Sequence, residues 1–188
     1  MNALAVGLIA YVLLGLDLAL RPALALGQAG ASPQLLLPLM VFVALWATPR
    51  AALWTALTLG AAADLTTRWP LTGGFETVCL LGPSALGYTA GAYLVLTARA
   101  MILRRNPLSL GALSVAAAAL AAVVVVALLT LRHAFFDPAL VWSGRQELLT
   151  RLLSALYTGV AAIALTFALR PLTGVMGLSD AASRRFGR

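Results

Sequence analysis

Six carboxylates are present in the 188 residues, and three of those that border the apolar runs stand four positions ahead of an arginine: Asp17 with Arg21, Asp64 with Arg68, and Glu147 with Arg151. On a helix this spacing puts both side chains on one face with the acid toward the N-terminus, the favourable order for an ion pair. Asp17 and Asp64 fall at the ends of long apolar runs. A charged carboxylate at the centre of a membrane span costs about 2.5 to 3.5 kcal/mol on the insertion scale, so such residues are first candidates for a polar cavity or a contact with partner helices. Local pairing near the membrane interface, with the arginines reaching toward water, accounts for all three pairs without any function.

Other reactive types are sparse. Ser84 would need a base to act as a nucleophile, and the single histidine, His133, lies beside Arg132 at the end of a different apolar run. Cys79 is the only cysteine. It reads as a small buried hydrophobe, and no second cysteine or histidine stands at metal-ligand spacing. No catalytic residue, metal or cofactor is expected. Gly73-Gly74 reads as a turn and not as a phosphate-cradling loop. Gly87 and Gly91 form a small-xxx-small pair that admits the backbone of another helix, in this chain before any partner.

The elements that must position these residues are membrane helices. Hydrophobic residues make up 62% of the chain and charged residues 10%, with a mean hydropathy of +0.96, outside the range of a soluble domain. Backbone groups in lipid must be satisfied within helices or a closed barrel, and the period-2 alternation of barrel strands is missing. The segment 112–131 runs without a charge and matches a hydrocarbon core roughly 30 Å thick. Spans are expected at about 3–20, 34–48, 51–66, 79–97, 110–131 and 149–169, giving an all-α six-helix domain over 1–170 and a basic tail over 171–188. The second and third are short, and only Thr48-Pro49-Arg50 separates them. They read as a tight hairpin or a partly re-entrant pair.

Charge sorts across these spans. With six crossings both termini share a side, which then carries Arg50, Arg99, Arg104, Arg105, Arg170, Arg184, Arg185 and Arg188 against Asp180 alone, a surplus of +7 equal to the formal net charge of the chain. The other side balances Arg21, Arg68, Arg132, Arg145 and Arg151 against Asp17, Asp64, Glu76, Asp137 and Glu147. Excess positive charge marks the cytoplasmic side, so both termini are expected there. All thirteen basic residues are arginines flanking apolar runs, which reads as topology and not as a nucleic-acid surface. The loop 133–147, with Phe135, Phe136 and Trp142, suits an interfacial aromatic belt. Asp17-x-x-x-Arg21-Pro22 and Asp64-x-x-x-Arg68-Trp69-Pro70 make a short internal echo.

Ser32-Pro33-Gln34-Leu35-Leu36-Leu37, Thr48-Pro49-Arg50, Gly60-Ala61-Ala62-Ala63-Asp64-Leu65, Pro70-Leu71-Thr72-Gly73, Gly87-Tyr88 and Gly91 together resemble the bacterial rod-shape-determining MreD family. The similarity covers roughly residues 30–100. It departs at Pro33-Gln34-Leu35, where that family often has Pro-Asp-Leu. The resemblance implies a non-enzymatic, multi-pass subunit of the bacterial inner membrane in the cell-elongation machinery for peptidoglycan synthesis. It also implies association with MreC, the glycosyltransferase RodA, a class B penicillin-binding transpeptidase and the actin-like MreB, and a bundle similar to the substrate-binding S-components of energy-coupling-factor transporters. A vitamin-binding S subunit of such a transporter is the alternative expectation, with Trp69, Glu76, Arg145 and Glu147 converging above the bundle.

Overall fold

A computed structural model describes residues 1–26, 30–70, 77–100, 107–135 and 142–178. Among them are six α-helices: α1 (Ala3–Leu24), α2 (Leu36–Trp46), α3 (Pro49–Thr66), α4 (Pro83–Ala98), α5 (Pro107–Phe135) and α6 (Gly144–Leu169). A two-residue hairpin, β1 (Trp69–Pro70) against β2 (Thr77–Val78), joins α3 to α4. The chain is thus an all-α membrane protein, in which Ala3–Leu24, Leu108–Phe135 and Gly144–Thr173 are long and apolar enough to cross a bilayer. By contrast, α2 has 11 residues and α4 has 16.

Start signals explain the helix boundaries. The Asn2 side chain accepts from the Ala5 N–H at 3.4 Å, while Pro49 and Pro83 occupy first-turn positions, where a missing N–H costs nothing and the fixed φ suits a helix. Pro22 sits in the last turn of α1.

The core is built around α2. Ten consecutive residues, Leu36 to Leu45, are buried, as expected of a helix that is apolar on every side. It packs against α1, α3, α4, α5 and α6, while α3, α4, α5 and α6 pack in chain order around it. Small residues set the closest crossings. A Cβ on Gly60 of α3 would lie 2.5 Å from the Ala85 Cα of α4, and one on Gly87 or Gly91 would lie 3.0 Å from the Ala121 or Ala117 carbonyl oxygen of α5. Gly87 and Gly91 therefore face a helix of their own chain.

α1 is peripheral, with Leu4, Leu8, Tyr11 and Val12 exposed. Its start meets the chain's far end, where the Asn2 N–H donates to the Met176 carbonyl at 2.8 Å. After α6 the chain makes a 3-10 turn, Arg170–Thr173, and returns so that Met176 and Leu178 are buried in the core. The packed unit runs through Leu178, beyond the boundary expected at 170, because these apolar side chains cover the bundle end. Residues 179–188 of the expected tail lie outside the described residues.

Candidate functional site

A helix that stops short inside a bundle leaves N–H and C=O groups without intrahelical partners. Here ionisable side chains satisfy them. At the start of α2 the Asp17 carboxylate accepts from the Leu35 N–H at 3.1 Å, and the Thr158 hydroxyl of α6 accepts from the Gln34 N–H at 2.9 Å. At its other end the Arg99 guanidinium donates to the Ala47 carbonyl at 3.0 Å and to that of Ala44 at 3.4 Å. Acid at the N-terminus and base at the C-terminus both complement the helix dipole.

Asp64 treats α4 in the same way and more completely. Its carboxylate accepts from the Gly82 N–H at 2.8 Å, Ser84 at 2.9 Å and Ala85 at 3.2 Å. Gly82 holds φ at +128°, a conformation that a residue with a Cβ enters only with strain. This arrangement corrects the expected Asp64–Arg68 pair. α3 ends at Thr66, so Arg68 lies beyond the helical register that i,i+4 pairing requires, and it is exposed with no ion pair to Asp64 among the described residues. Cys79 is likewise exposed and not buried. It lies in the segment between β2 and α4, and its thiol donates to the Asp64 carbonyl at 3.3 Å.

The other two pairs form. Arg21 Nη2 meets Asp17 Oδ2 at 3.1 Å, and Arg151 Nε meets Glu147 Oε1 at 2.8 Å. Both border a cavity of about 240 Å³ at the bundle end where α2 begins, a volume near that of eight waters at roughly 30 Å³ each. α6 turns one polar stripe toward it, Glu147, Thr150, Arg151 and Ser154, at helical spacing. Across from that stripe α5 presents Ala118, Ala121, Ala122 and Val125, side chains small enough to leave the space open. Tyr88 of α4, only 4% exposed, and Ser84 also line it, as do Ser32, Gln34, Thr66 and Thr67.

Trp69 stacks over the far side of this cluster. The Arg151 guanidinium carbon lies 5.5 Å from the centre of its ring, within cation–π range, and Trp142 meets the same ring edge-on at 5.7 Å. Trp142 also donates to the Thr130 hydroxyl at 3.0 Å, which ties it to α5. Of the residues expected to converge here, Trp69 and Glu147 do so through Arg151. Arg145 is exposed, and Glu76 and Phe136, like the Gly73-Gly74 turn, lie outside the described residues.

Sequence reasoning missed Arg99, Thr158 and Tyr88. A threonine within an apolar run carries no distinguishing signal, Tyr88 stands out only beside Gly87 in the family-like pair, and Arg99 carries only a topology signal. No family model matches the chain, nor does any curated protein or solved structure.

Proposed function

We propose that the chain is a non-enzymatic scaffold subunit of the bacterial cell-elongation complex, with six crossings of the inner membrane and both termini in the cytoplasm. Its partners on this reading are MreC, RodA, a class B penicillin-binding transpeptidase and, through the cytoplasm, MreB. The observation that supports it is where the family-like residues sit. The run Ser32 to Leu37 leads into the doubly capped α2, with Gln34 standing where that family often has Asp, and Gly60 and Asp64 join α3 to α4. Gly87 and Gly91 join α4 to α5. Several of these family-like residues are thus joints of this bundle, and the one carboxylate among them, Asp64, holds a helix start. A rigid bundle of this kind suits a part that positions other membrane enzymes.

Purification of the tagged full chain from native membranes in mild detergent tests the reading. Recovery of cell-wall synthesis proteins, and rounding of cells on deletion, are the expected results. Recovery of none of them with unchanged cell shape would overturn it.

One observation favours a second reading, the vitamin-binding S subunit of an energy-coupling-factor transporter: the polar cavity beside α2. Its volume of about 240 Å³ falls below the roughly 300–1,000 Å³ of most small-molecule sites, which leaves the scaffold reading ahead. A thermal shift with a vitamin panel separates the two.

A further inference from the structure

The cavity beside α2 is unbalanced in its hydrogen bonding. Each guanidinium carries five N–H donors. Among the described residues Arg21 directs only Nη2 at a carboxylate, that of Asp17, and Arg151 directs only Nε, at Glu147. On the acceptor side both Asp17 oxygens are occupied, one by Arg21 and one by the Leu35 N–H. Most of both guanidinium forks therefore remains for something else that borders the cavity.

Tyr88 is the independent second sign. It is 4% exposed and lines the cavity, and its hydroxyl, which makes no hydrogen bond to a partner among the described residues, is not one of the fully enclosed polar atoms. A tyrosine whose ring is this deeply buried normally finds a partner for its hydroxyl. The cavity is where it can.

We propose that this cavity binds a small monoanionic oxyanion group, a carboxylate or phosphate ester, which accepts from the Arg21 and Arg151 guanidiniums and from the Tyr88 hydroxyl. Arginine suits this because its planar fork matches carboxylate and phosphate oxygens. The Glu147 carboxylate, 30% exposed at the rim, disfavours a second negative charge. Trp69 holds Arg151 from its other face, so that the remaining donors are presented in a fixed direction. Both a soluble anion and a phospholipid headgroup offer this chemistry. The inference goes beyond both functional readings, since it concerns only the purified chain and stands whether or not cell-wall enzymes co-purify.

Thermal unfolding of the full chain in a neutral detergent tests it. Inorganic phosphate and acetate are titrated at constant ionic strength set by chloride, and short-chain phosphatidylglycerol is titrated separately. Saturable stabilisation by phosphate or acetate identifies a soluble source, and stabilisation by the phospholipid alone identifies a headgroup. Absence of stabilisation by all three overturns the proposal. Tyr88→Phe keeps the buried ring and should weaken the effective probe about tenfold, the loss expected for one hydrogen bond to a charged group. Arg151→Lys keeps the charge, removes the fork and should weaken it at least as much. If both variants melt cooperatively and bind as tightly as the parent, the anion sits elsewhere and the proposal fails.

Discussion

Asp17 and Asp64 begin from the same pattern, an acid at the end of an apolar helix with an arginine four residues on, and reach different environments. Asp64 is 3% exposed and gives its carboxylate to three backbone amides of α4. Asp17 is 7% exposed and divides its oxygens between Arg21 and one amide of α2. The difference follows from where each helix stops. α1 continues through Arg21 to Leu24, so its pair stays in register. α3 ends before Arg68, and the amides of α4 take the arginine's place. One junction is a fixed joint, and the other is a joint that also forms a cavity wall.

The largest effect should come from Asp64→Ala. Three amides, that of Ala85 buried and those of Gly82 and Ser84 partly buried, lose their acceptor at about 1 to 3 kcal/mol each, so a loss of about 3 kcal/mol or more is expected in reversible unfolding in detergent. Asp64→Asn keeps an acceptor and should fall between. An alanine variant as stable as the parent would break the contrast at its stronger end. Gly60→Val comes next, because its added atoms meet the Ala85 and Ser84 backbone as well as the buried Tyr88 ring. Overpacking of this kind costs typically about 1 to 3 kcal/mol, read in the same unfolding assay.

Arg99→Ala removes the donor to the Ala44 and Ala47 carbonyls and should cost about 1.5 to 3 kcal/mol, the range for hydrogen bonds to charged groups. Arg99→Lys should recover part of it. The smallest effects sharpen the comparison most. Arg21→Ala should cost about 1 kcal/mol, since its side chain is 41% exposed and the pair is screened. Arg68→Ala should stay within about 0.5 kcal/mol, as for a surface position. Equal losses for the two arginines would mean that Asp64 and Arg68 interact after all.

Much of the fold was legible because long apolar runs are local signals. The run 112–131 became the middle of α5, whereas the starts expected at 51 and 79 fall instead at Pro49 and Pro83. The shortness of the second run was visible too, and α2 is the shortest of the six described α-helices. The partners of the carboxylates were not legible. Spacing of four residues announces only a local partner, whereas Asp17 meets Leu35 and Asp64 meets Gly82, each 18 positions away. Thr158 lies 124 positions from the amide that it caps. Such contacts exist only after tertiary packing, so neither they nor the cavity that they border carry a signature along the chain.

The brevity of α2 has a consequence for biogenesis. At about 1.5 Å per residue, 11 residues extend about 17 Å, little more than half of a hydrocarbon core about 30 Å thick. Such a segment released alone from the insertion machinery would bring both of its polar ends into lipid. α1 and its Asp17 cap precede it, but the other lining helices and caps arrive later in synthesis, Arg99 after α4 and Thr158 only with α6. The centre of this protein is therefore the last part to reach its final state, and a nascent chain halted before α6 would hold an incomplete core, open to membrane quality-control proteases.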